Sequence, residues 1–195
     1  ALLRTLGARY DELNQHELVE LEPALAPIFP RAVYYHGCAQ VVSPFGLCQA
    51  LATQIREAGG AIVRNEVHHA EVKAGRHISL FADDFEFECE ALVVAAGAWS
   101  VEAAKWFDIS VPLETERGYH TTMSRLDIGL NRPITHGETN IGMVQLKEGL
   151  RFGGTVELAG LDAPPDYTRG RNIHRMTRRM IQDLPPDDSL EISDW

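Results

Sequence analysis

A chain of 195 residues, 45% of them hydrophobic, can bury one sizeable core or two small ones, and nothing in the composition points to disorder. A formal charge of -10 argues against nucleic acid, whose phosphates need a basic surface. Cys38, Cys48 and Cys89 are odd in number and form no CxxC pair, which argues against a disulfide framework; no apolar run reaches the length of a membrane span.

The opening ALLRTLGARY has neither the charged start nor the apolar centre of a signal peptide, and no initiator Met precedes it. The expectation is a piece of a longer protein from a reducing compartment. Residues 12–23, ELNQHELVELEP, predict a short helix ending before Pro23. AVYYHGCAQVV (32–42) predicts one bent strand, or a hairpin turning at Gly37. Ser43 as cap and Pro44 at the first helical position, with Cys48, Leu51, Ala52 and Ile55 at helical spacing, predict a helix that Gly59 and Gly60 end. AIV (61–63) then starts a strand.

VHHAEV (67–72) and HISLFA (77–82) alternate as strands and turn at Asp83 and Asp84 into FEFEC (85–89). In LVVAAGAWS (92–100), Leu92 to Ala96 read as a strand buried on both faces, broken at Gly97, with Trp99 and Ser100 beyond its end. After Pro112 the texture changes. LETERGYHTTM (113–123) and LRFGGTVEL (150–158) read as strands with glycines inside them, a mark of a bulge or of close approach by a ligand. ITHGETNIGMVQL lies between them, with a turn at Glu148-Gly149. A Pro-rich loop, LDAPPDY, leads to a basic amphipathic helix over 168–184 with Ile173, Met176, Met180 and Leu184 inward.

His68, His69, His77 and Cys89 do not make a metal site, because adjacent strand residues point to opposite faces. No site is expected at His36 and Cys38 either. Arg117, Tyr119 and His120 are the candidates for substrate contact: a guanidinium forks onto a carboxylate, while Tyr or His orients an amine or lines an apolar pocket. Arg117 and Tyr119 share a strand face, and His120 lies opposite unless Gly118 distorts the strand. The alternative for Arg117 is a surface pair with Glu114 or Glu116. Arg151 and Gly153 share a face, and Gly154 opens a close approach beside it. The basic face of 168–184 reads as a solvated helix, with an acidic membrane or partner as the alternative.

Taken in order, LEP (21–23), SPFGLCQALA (43–52), the Gly-Gly-Ala-Ile before VHHAEV, ALVVAAGAWS (91–100), PLETERGYH (112–120) and GLRFGGTVELAGLDAPPDY (149–167) resemble the D-amino-acid oxidase and dehydrogenase (DAO) superfamily of flavoproteins. Within it, the sequence is most similar to bacterial D-amino-acid dehydrogenases of the DadA type. The resemblance covers nearly the whole chain but includes no GxGxxG fingerprint, and in the family the sequence continues past Trp195 into a flavin- and carboxylate-binding segment. It implies a middle fragment, α/β with α+β. Residues 1–39 would be a substrate-domain segment, 40–105 part of an FAD-binding domain, and 106–195 a substrate-binding domain with a mixed or antiparallel sheet.

The implied function is oxidation of an amine or D-amino acid by hydride transfer to FAD, in amino-acid catabolism, with a quinone or oxygen as electron acceptor. FAD belongs to the full-length protein and is not expected to be retained by this piece. By resemblance, Val67, Ala96, Gly97 and Trp99 contact the cofactor, and Arg117, Tyr119, His120, Ile141 and Met143 the substrate. Ile141 or Met143 occupies the place where some family oxidases carry a substrate tyrosine. No residue is assigned as catalytic, and no metal, nucleic acid or transmembrane segment is expected. The implied location is the cytoplasm, or the periphery of the inner membrane. The alternatives are a sarcosine-, glycine- or proline-type oxidase and a non-catalytic binding or assembly module with the same fold.

Overall fold

The computed structural model describes Thr5 and residues 7–194. The chain forms two compact units: Ala1–Gln49, Arg117–Glu157 and Pro164–Trp195 make the first, and Ala50–Glu116 with Leu158–Ala163 the second.

In the first unit, β1 (Tyr10–Asn14) pairs antiparallel with β2 (Arg31–Tyr35), and α1 (Gln15–Leu21) follows β1 directly. Asn14 closes a capping box. Its Oδ1 accepts the N–H groups of His16 and Glu17, and the Glu17 carboxylate accepts the Asn14 N–H at 2.8 Å. Such a cap is worth about 1 kcal/mol to a seven-residue helix that propensity alone would not hold.

The main sheet has five antiparallel strands in the order β10-β6-β9-β8-β7, namely β6 (Arg117–Ser124), β7 (Ile134–His136), β8 (Ile141–Leu146), β9 (Gly149–Glu157) and β10 (Ile192–Asp194). One face is the core. Met123, Leu150 and Phe152 are fully buried there with Tyr119, Ile141 and Met143, in one cluster with Ile173 of α4 (Thr168–Thr177) and Met180 beyond it. Thr121 Oγ1 donates to the Gly170 carbonyl at 2.8 Å, tying α4 to the sheet. The predicted helix over 168–184 ends as an α-helix at Thr177 and continues as a 3-10 turn to Met180.

Two glycines are demanded by packing. Gly149 has φ 144° in the β8–β9 turn, where a Cβ would lie 2.1 Å from the Met123 carbonyl. At Gly154 a Cβ would lie 2.6 Å from the Asn140 carbonyl. Gly154 is the extra residue of a bulge, since Tyr119 faces Thr155 while His120 faces Gly153. The irregularity expected at Gly118 therefore sits on the neighbouring strand.

In the second unit, β3 (Val67–Val72), β4 (Ile78–Ala82) and β5 (Glu86–Cys89) form the expected antiparallel meander. Helix α2 (Pro44–Glu57) starts in the first unit, where Ser43 Oγ accepts the Gly46 N–H, and runs into the second. Helix α3 (Ser100–Lys105) follows a 3-10 turn over Gly97–Trp99. Two expectations fail here. Residues 61–63 and 92–96 join no ladder among the described residues, and Val93 is 86% exposed. A strand buried on both faces needs hydrogen-bonded neighbours on both edges, and the described residues supply none for these two segments.

Candidate functional site

The face of the main sheet opposite the core carries alternate residues of β6, β9 and β8. His120 stands across from Gly153, which stands across from Gly142; one step along, Thr122 faces Arg151 and Arg151 faces Val144. Arg151 Nε donates to Thr122 Oγ1 at 3.1 Å. Burial, and then the Arg151 charge, hold the His120 imidazole below its ordinary pKa, which favours the uncharged ring. A Cβ at Gly142 or Gly153 would make only ordinary contacts, near 3.6 Å. Unlike Gly149 and Gly154, these two are not required by packing.

Arg117 and Tyr119 are brought together on a different errand. Arg117 faces Glu157 across the ladder, with Nη1 3.5 Å from Oε2, a carboxylate far from it in sequence. The Tyr119 hydroxyl donates to Glu157 Oε2 at 2.6 Å and accepts the Asp166 N–H at 2.8 Å. Arg169 lies over the Tyr119 ring, 5.7 Å from its centroid, and 3.9 Å from Glu157 Oε1. Tyr119 is 3% exposed. Ile141 and Met143 are buried in the core, on the face away from His120.

A cavity of about 860 Å³ lies in the same unit, walled by α1, β2, Phe29, Ile134 and His136, and of the predicted site residues only Met143 reaches it. Its wall holds an ion pair that the sequence did not reveal. Glu22, 1% exposed, accepts from Arg132 Nη1 at 2.8 Å and from the Asn131 N–H at 3.0 Å.

In the second unit, Val67 opens β3 opposite Ala82. Gly97 is in the left-handed region, φ 55°, with nothing within 4 Å of where a Cβ would be, and Trp99 after it is 63% exposed. His68 pairs with Asp83, and His69 stacks on Phe81. No three potential ligands converge on a metal position among the described residues.

The family model for FAD-dependent oxidoreductases, DAO, matches residues 1–195. The chain belongs to the DAO family. A D-amino-acid oxidase of Bradyrhizobium diazoefficiens is 30% identical over all of this chain and 46% of its own length. A D-amino acid dehydrogenase of Vibrio vulnificus is 25% identical over 83% of the chain and 40% of the relative. Among solved structures, glycine oxidase from Geobacillus kaustophilus superposes with a TM-score of 0.79 at 22% identity, covering 99% of this chain and 51% of that one. L-proline dehydrogenase from P. horikoshii gives 0.80 at 17%, covering 98% and 53%. The DAO chain described here thus spans about half the length of the relatives it matches. Its fold is that of FAD-dependent oxidoreductases, and FAD is the family's cofactor.

Proposed function

We propose that this DAO chain is part of an enzyme that oxidises an amine or a D-amino acid to an imine, which water then hydrolyses. The observation that carries this reading is the sheet face opposite the core, where the His120 imidazole and the Arg151 guanidinium stand beside two glycines that internal packing does not require. FAD, when bound, supplies the acceptor for the hydride leaving the substrate Cα.

The residues of this chain fit that cofactor in one respect that can be checked. The small Ala96 and the left-handed Gly97, with open space at its missing Cβ, leave room for a ribose or phosphate. Val67 would offer backbone groups to the adenine, and Trp99 a flat exposed surface beside the turn. On the substrate side, His120 would orient the amine through its ring nitrogens. Val156, 54% exposed opposite Gly118, would help exclude water. Arg117, Tyr119, Ile141 and Met143 would act from behind, fixing the strands that carry this face. No protein base is required for hydride loss from an amine that is already neutral.

The test is the absorbance spectrum of the full-length protein. A bound flavin bleached anaerobically by a D-amino acid supports the reading, with glycine, sarcosine and L-proline as parallel substrates and oxygen or a quinone as acceptor. A colourless protein, or a flavin that none of these reduces, would overturn it.

A further inference from the structure

Five described arginines are half-buried: Arg117, Arg132, Arg151, Arg169 and Arg178. Four of them meet carboxylates. Arg117 and Arg169 meet Glu157, Arg132 meets Glu22, and Arg178 meets Asp187. Arg151 meets none among the described residues; its one hydrogen bond is to the Thr122 hydroxyl. Acidic residues are not scarce, with 28 Asp and Glu against 18 Lys and Arg. Withdrawing a guanidinium partly from water without an anion is costly, which makes Arg151 the exception to explain.

The surroundings suit an incoming anion. The Nε–Thr122 bond fixes the guanidinium plane and leaves the Nη donors to form a fork, the geometry that reads a carboxylate through two parallel bonds. Gly153, two residues along the same strand, and Gly142 beside it carry no side chain to crowd that approach. His120 stands across from Gly153 on the same face, its pKa lowered by burial and by the Arg151 charge.

We propose that Arg151 reads a carboxylate of the ligand on this sheet face. The inference rests on the amine and amino-acid reading for the identity of the substrate, but the binding itself is testable without turnover. A carboxylate could come from the α-carboxyl group or from an acidic side chain, and the two sources give different kinetics.

The experiment uses the flavin-loaded full-length protein, titrated calorimetrically with acetate and with succinate, as wild type, Arg151→Gln and Arg151→Lys. Arg151→Gln is expected to weaken carboxylate binding at least about tenfold, the loss expected for one charge-assisted fork, with flavin content and Tm unchanged. Arg151→Lys keeps the charge without the fork and should fall between the two, so it tests the idea even if the glutamine variant folds poorly. In steady state, KM should rise with little change in kcat. A rise for alanine and glutamate alike assigns the α-carboxylate; a rise for glutamate alone assigns the side chain. Carboxylate affinity equal in all three proteins would overturn the inference, as would a wild type that binds neither acid. A wild type that binds them but oxidises no amino acid would instead overturn the proposed function and leave Arg151 standing.

Discussion

The phenol of Tyr119 and the carboxylate of Glu157 are joined by a 2.6 Å hydrogen bond, and the same phenol oxygen accepts the backbone N–H of Asp166. One hydroxyl therefore fixes the end of β9 and the approach to α4. Tyr119→Phe strands two polar groups in a part-buried place, so it should cost about 1–2 kcal/mol of stability, read as a lower urea midpoint with an unchanged m-value. A midpoint equal to wild type would mean that water replaces the hydroxyl at no cost.

The glycines of β8 and β9 should separate into two classes. Gly149→Ala and Gly154→Ala force a Cβ into backbone atoms and should each destabilise by about 2 kcal/mol or more. Gly142→Ala and Gly153→Ala meet only ordinary contacts, so they should be neutral or slightly stabilising. Equal losses at all four positions would show that the face opposite the core is packed as tightly as the core.

Removing Arg132 should be far worse than removing an exposed arginine such as Arg125, whose pair with Glu191 is in water. Arg132→Met leaves the Glu22 carboxylate buried without its cation, at a cost of about 3 kcal/mol. Adding Glu22→Gln should recover part of that loss, which a double-mutant cycle measures.

Two histidines should titrate on opposite sides of the ordinary value of 6.5. His68 is raised, chiefly by its hydrogen bond to Asp83, and His120 is lowered, chiefly by burial and then by Arg151. For His120 the unfolded chain binds the proton more readily than the folded one, so its contribution to stability is intact above pH 6.5 and is lost as the pH falls through 6.5 toward the folded value. His68 has the opposite sign, contributing below 6.5 and losing that contribution as the pH rises through its folded value; being exposed, it contributes little. NMR titration of the ring protons checks both, and Arg151→Gln should move His120 upward. A His120 value at or above 6.5 in the wild type would contradict its placement in a desolvated site.

What the sequence made legible was local. The capping group Ser43 lies within a turn of the donor it meets, and the alternation of FEFEC needs only its own neighbours to be read. Asn14, read as part of a helix over 12–23, instead ends β1 and caps α1. Antiparallel pairing through short turns, as in β3–β4–β5 and β8–β9, is legible for the same reason. The partner of Arg117 was not. Glu157 is its cross-strand neighbour only because the Gly154 bulge shifts the register by one residue, and nothing near Arg117 in sequence announces that shift. The apolar run at 92–96 has the composition of a central strand, but composition does not supply the adjoining strands that would hold it. The half-buried state of Arg151 was equally hidden, since strand alternation gives its face and not its company.

Residues 24–26 are bonded to residues 180–182, through Ala26 N–H to the Met180 carbonyl and Gln182 N–H to the Ala24 carbonyl, while β10 completes the sheet edge at β6. On the ribosome, an early segment of this protein must therefore wait for almost the whole of the described chain to emerge before its final partners exist. Until then Leu25 has no place in the core, and during that interval nascent-chain chaperones would find apolar surface to hold.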